Sequence, residues 1–192
     1  MSIGARKFVT GDLTVCALYW DGRAPDLEAQ MKAAWGGANM GVGKENLERK
    51  AAELASLPEY AELFDQAFPG VDVTADHVAE AVSSYERTLY CADTAYDRFI
   101  AGDAQALTPE QKAGWDLFRE RAGCVNCHTP PFFSDAFLTP GGAYHNIGVE
   151  FRYKKLAEID AGRGAITKEP RDFAAFKTPS LREISRTAQV GS

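Results

Sequence analysis

Long hydrophobic runs are missing from this 192-residue sequence. A membrane-spanning helix needs about 20 consecutive apolar residues, so no span is expected. The amino terminus, MSIGARKFVTGDLTV, has neither the apolar core nor the small-residue cleavage site of a secretory signal. Basic charge is also short: 21 Lys and Arg stand against 27 Asp and Glu, a formal net charge of −6. With no basic stripe to neutralise phosphates, a nucleic-acid partner is excluded, and a basic protein partner fits the balance better. Histidine and methionine number three each. That confines soft or imidazole metal ligands, apart from cysteine, to His77, His128, His145, Met1, Met31 and Met40. Period-2 alternation is nearly absent, which argues against a β architecture.

What is present reads as helices separated by Pro/Gly-rich loops, an all-α class. Asp26 to Trp35 predicts a short helix closed by Gly36-Gly37, and Lys44 to Ser56 another with Leu47, Ala51 and Leu54 on one side. Pro58 starts a third, through Phe68. Thr74 is an N-cap, and Val78, Val82, Tyr85 and Leu89 follow it as one apolar stripe, which predicts the best-buried helix. Thr108-Pro109-Glu110-Gln111 combines an N-cap, a proline at N1 and a capping-box Gln, so a helix runs to about Ala122.

That helix leads into Cys124-Val125-Asn126-Cys127-His128, a Cys-X-X-Cys-His run. Two thiols so spaced can add across the vinyl groups of a haem, and the following imidazole can reach the iron, which is the attachment pattern of haem c. The other readings of the cysteines are a thioredoxin-like redox pair or part of a metal-binding module. No βαβ pattern surrounds the pair, and no second Cys/His pair has zinc-site spacing. After His128, Pro and Gly punctuate some fifty residues without a long amphipathic period. Such a loop needs a core from elsewhere, and a haem would provide one. Phe132, Phe133, Phe137, Tyr144, Ile147, Phe173 and Phe176 are candidates to line it, or to pack as ordinary core.

Further stretches carry a resemblance. Trp20-Asp21-Gly22-Arg23-Ala24 with Leu27 and Gln30, Glu86-Arg87-Thr88-Leu89, Cys124 to His128, Asn146-Ile147-Gly148-Val149, Asp160-Gly162-Arg163 and Phe176-Lys177-Thr178-Pro179-Ser180-Leu181-Arg182 occur in one order. Together they resemble the bacterial di-haem cytochrome c peroxidase family, MauG-like enzymes included. The resemblance implies a periplasmic oxidoreductase that reduces hydrogen peroxide with electrons from a small donor protein of cytochrome c or cupredoxin type. It places residues 1–103 at the end of the first haem domain and the inter-domain region. Residues 104–192 then form a cytochrome c-like haem domain with long loops wrapping the haem, truncated at its carboxyl end. Only the second haem motif is expected in this chain, the first lying before Met1. Cys124, Cys127 and His128 match the attachment residues and proximal ligand, and Trp20 matches a tryptophan that relays electrons between the haems. Gln30 matches a polar residue near the peroxide pocket. Thr187 matches a carbonyl donor to calcium, whose neighbouring proline is replaced by Gln189, and a homodimer is among the family's assemblies.

Two departures bear on activity. The family's acid–base glutamate precedes a Met-Gly pair, and here Asn39 precedes Met40-Gly41. An amide cannot cycle a proton near neutral pH, so peroxidase chemistry is placed in question unless Glu28 or Glu45 substitutes. No methionine follows the haem motif to serve as sixth ligand; His145 is the one later imidazole. Covalent haem attachment takes place outside the bacterial cytoplasm, so the chain is expected to be a periplasmic fragment. Cys16 and Cys91 either pair there or remain separate thiols.

Overall fold

The computed structural model describes residues 17–89, 92–139 and 142–184, and these form two compact units. Residues 17–19 and 23–89 make the first; residues 20–22 and those from 92 onward make the second.

Among the described residues of the first unit, four α-helices follow one another: α1 Leu27–Gly36, α2 Leu47–Ala55, α3 Pro58–Ala67 and α4 Ala75–Glu86. Local chemistry sets their starts. The Asp26 carboxylate accepts from Ala29 N at 2.7 Å, Pro58 occupies the first turn of α3, and Thr74 accepts from His77 N at 3.3 Å. A 3-10 turn at Lys44–Asn46 leads into α2, where the sequence predicts one continuous helix from Lys44. The core joins Met31 and Trp35 of α1, Ala51 of α2, Phe64 of α3 and Ala75, Val78 and Ala79 of α4.

Helix α4 carries more buried residues than any other described helix, as its pattern predicts. Its buried face is not quite the expected stripe. Small residues, Ala75, Ala79 and Ser83, let its backbone approach α1 closely. Tyr85, at the edge of that face, stays 64% exposed, and Leu89 falls beyond the helix end. Arg87, capping α4, grips Glu28 of α1 through two hydrogen bonds of 2.7 and 3.1 Å.

The described residues of the second unit hold two helices of more than one turn, α5 Ala95–Ile100 and α6 Pro109–Arg119, and a one-turn α7, Gly164–Thr167. Thr94 with Asp97 and Thr108 with Gln111 close reciprocal capping boxes. The rest is loop with 3-10 turns, plus an antiparallel ladder in which β1, Tyr144–His145, pairs with β2, Phe176–Lys177. Among the described residues of this unit, Leu107 and Ile159 are the large apolar side chains that are buried. The best-covered residues are small, Ser134, Ala136, Ala174, Ala175 and Thr178 among them. Ile147 and Tyr153, by contrast, are 80% and 81% exposed. No helix among the described residues is long and apolar enough to cross a membrane.

Candidate functional site

Helix α6 ends at Arg119, three residues earlier than its pattern predicts, and Gly123 turns the chain with a left-handed φ of 65°. A tight 3-10 turn, Cys124–Asn126, follows. Its i to i+3 geometry brings Cys124 and Cys127 to one side, with His128 N bonded to Cys124 O at 2.9 Å. Both thiols are free and half-buried. The loop then folds back on the motif through Asp135 N to Cys127 O at 2.7 Å and Thr129 Oγ1 to Val125 O at 2.9 Å.

The orientation of His128 decides what the site can hold. Its Nδ1 lies 3.0 Å from the carbonyl oxygen of Phe133. A carbonyl only accepts, so Nδ1 carries the hydrogen, and Nε2 is left with the lone pair a metal requires. Phe133 is itself fixed: its backbone has φ 53°, and its ring packs against Tyr96 at 4.8 Å, Phe118 at 6.0 Å and Trp115 at 6.3 Å. Two free thiols, an imidazole of committed tautomer and a unit in which most large aromatic side chains are only half-buried together fit a haem. The fold is accordingly all-α, a cytochrome-like haem domain with one short open ladder.

Two further groupings flank the motif. His145 Nε2 meets Asp135 Oδ2 at 2.6 Å, and Cys127 Sγ joins them, all three ligand atoms lying within 4.8 Å of one another. Cys124 is not part of that cluster, whereas a zinc site built on Cys-X-X-Cys uses both sulfurs. On the other side, Arg182 makes a two-pronged pair with Asp97, 3.0 and 2.7 Å, and gives its Nε hydrogen to Pro131 O at 2.7 Å. The Arg182 hydrogen bonds hold the Asp97 carboxyl well below the usual carboxylate range.

The remaining candidates divide between the two units. Trp20 belongs to the second unit, where its carbonyl accepts from Lys177 N at 2.8 Å, and at 62% exposure it is not an ordinary core tryptophan. Gln30 sits half-buried on α1 of the first unit, its carbonyl accepting from the Tyr19 hydroxyl at 3.3 Å. Asn39 and Glu45 are exposed in that unit. Glu28 is committed to Arg87, whose hydrogen bonds lower its carboxyl pKa. His77 closes the capping box of α4 and stacks on Phe68. Cys16, Cys91, Thr187 and Gln189 lie outside the described residues. Of the proposed lining residues, Phe132 and Phe137 pack together at 5.1 Å, while Phe173 meets Phe151 at 6.4 Å. Asp97, Asp135 and Arg163 had no assigned role in the sequence. Arg163 gives hydrogens to the carbonyls of Asp21 and Gly22 at 3.2 and 3.0 Å and lies over the Tyr144 ring.

Comparison with known proteins shows the family. The sequence model of the family described as di-haem cytochrome c peroxidase matches residues 5–105. The cytochrome c551 peroxidase of Nitrosomonas europaea is 34% identical over 171 residues, covering 89% of this chain and 48% of that protein. The methylamine utilization protein MauG of Methylorubrum extorquens is 35% identical over 175 residues, covering 88% and 44%. The chain thus spans about half the length of the curated relatives it matches. Among solved structures, a MauG-like protein associated with microbial copper homeostasis superposes with a TM-score of 0.75 at 30% identity, over 90% of this chain and 53% of that one. The di-haem peroxidase of Burkholderia thailandensis shares the fold, with a TM-score of 0.62 at 21% identity, over 88% and 46%. With more than half of its length matched by the family's own model, this chain belongs to the di-haem cytochrome c peroxidase family.

Proposed function

We propose that this chain is a haem c-binding redox unit resembling the electron-accepting domain of a di-haem cytochrome c peroxidase. The observation that carries the reading is the His128–Phe133 hydrogen bond beside two free thiols, since it readies one nitrogen for iron where both sulfurs are unbonded. Bound haem supplies one-electron chemistry at its iron. The chain supplies the rest: Cys124 and Cys127 tether, His128 ligates through Nε2, and the Phe133 carbonyl holds the ring in its tautomer. In a complete protein of this type, Trp20 would relay electrons between two haems, and the haems would supply the reduction of hydrogen peroxide with electrons from a small donor protein in the periplasm. Residues 1–103 then derive from the first haem domain and the inter-domain region, and 104–192 from the second. Calcium at the Thr187 carbonyl belongs to the same reading.

A second reading, electron transfer at one haem without peroxidase activity, draws on the first unit. Asn39 has no titratable proton, and Glu28 is held ionised by Arg87. Asn39 cannot accept a proton from one peroxide oxygen and return it to the other, and Arg87 makes Glu28 a weaker base for that step.

The test is a pyridine haemochrome assay, with protein quantified alongside, on the chain matured in a periplasm equipped for c-type haem attachment. One haem c per chain is expected, and His128→Ala should abolish the histidine-ligated spectrum. Bound metal without haem absorbance, or an unchanged His128→Ala spectrum, would overturn the assignment. Peroxide turnover by the holoprotein separates the two readings.

A further inference from the structure

The run Thr178 to Arg182 has no part in the proposed chemistry, yet it holds the backbone that carries the His128 acceptor. Three of its residues engage the loop 131–134 in succession. Arg182 Nε donates to Pro131 O at 2.7 Å. The Ser180 hydroxyl donates to Phe132 O at 2.6 Å. The Ser134 hydroxyl donates to Thr178 O at 2.7 Å. The one carbonyl between these grips, that of Phe133, faces His128 Nδ1 at 3.0 Å. Phe133 needs restraint, because a bulky residue at φ 53° occupies a region that L side chains disfavour.

Arg182 is in turn held by a helix. Its two terminal nitrogens bind both carboxylate oxygens of Asp97 on α5, and Asp97 also closes the Thr94 capping box. A guanidinium can make this planar two-pronged bond and still direct Nε to Pro131; an ammonium cannot do both. The side chain is mostly buried, 12% exposed, so the pair is shielded from the screening that weakens surface ion pairs.

We infer that Arg182, anchored by Asp97, is a positioning residue that fixes the Phe133 carbonyl against His128 and thereby sets the electron density of the proximal imidazole. A firm Nδ1–H···O bond makes the imidazole a stronger donor and favours the oxidised iron; a loosened one raises the reduction potential. The inference rests on the haem reading above, and the experiment distinguishes their failures.

The midpoint potential of the haem-loaded chain is measured by spectroelectrochemistry for the native sequence, Arg182→Lys and Ser180→Ala, with thermal melts alongside. Lys154→Gln, which removes the exposed pair with Glu150, is the control. The expected result is a positive shift for Arg182→Lys, a smaller positive shift for Ser180→Ala and none for the control. A native potential in Arg182→Lys, even with a lowered melting temperature, would overturn the inference and leave the pair a purely structural brace. If Arg182→Lys does not accumulate with haem, Ser180→Ala decides by the same two outcomes. A native chain that takes up no haem would instead be the failure of the underlying reading.

Discussion

Gly162 should be among the least replaceable of the described glycines in the second unit, because its nearest obstacle is backbone. It has φ 52°, and a Cβ built there would stand 2.5 Å from the carbonyl oxygen of Ala175 and 3.0 Å from Cζ of Phe176. The first obstacle is backbone, and that backbone is tied down: Arg163 N bonds Ala175 O at 2.8 Å and Ala174 N bonds Ala161 O at 3.0 Å. Two costs therefore add in Gly162→Ala. An L side chain in the left-handed region costs about 1 kcal/mol. Displacing the strand costs roughly 1–3 kcal/mol more, the usual range for overpacking. Gly148 isolates the first cost, because it has φ 75° and no atom within 4 Å of a built Cβ. For a unit of roughly 100 residues, Gly148→Ala should lower the melting temperature by about 4–8 °C, and Gly162→Ala by roughly 10 °C or more. Thermal unfolding of the haem-loaded protein, followed in the Soret band, measures both. Melting of the two variants within about 2 °C of each other would refute the steric argument. Because Phe176 stands two residues before Thr178, Gly162→Ala should also disturb the haem band before the unit melts.

Other expectations can be checked alongside. The Asp97 carboxyl is held below its unfolded value by Arg182, so its stabilisation is complete above the unfolded pKa and lost as pH falls through the folded one. The gap in melting temperature between the native chain and Asp97→Asn should therefore be widest near neutral pH and shrink as the solution is acidified below about pH 4; a constant gap would count against the pairing. Thr108→Ala removes the hydroxyl that accepts from Gln111 N and should cost about 1 kcal/mol in a denaturant titration.

What the sequence made legible was local. Asp26, Thr74 and Thr108 announce helix starts because capping is settled within three or four residues, and the five-residue haem motif is contiguous. Helix α5 escaped notice, although Thr94 and Asp97 have capping-box spacing, because six residues are too few for an amphipathic period. The two-residue ladder of β1 and β2 is likewise too short to show alternation. Tyr85 shows the limit of the periodic argument: a stripe tells which side is apolar, but burial depends on which neighbours arrive to cover it. The Asp97–Arg182 pair joins groups 85 residues apart, and no spacing rule spans that distance. Arg182 stood within a run that resembles the family, yet its partners were visible only once the chain had folded.

The placement of Trp20–Gly22 with the second unit bears on how the molecule can be dissected. Those three residues precede the whole of α1 to α4 in the chain, yet their carbonyls receive hydrogens from Lys177 and Arg163. A cut between residues 89 and 92 would therefore not free an intact haem unit; it would leave both donors without their acceptors. A minimal haem-carrying fragment must be discontinuous, or must be permuted so that a Trp-Asp-Gly segment is rejoined by a new linker. Expression trials with simple carboxyl-terminal halves would measure the loss of that segment as well as the haem domain they set out to isolate.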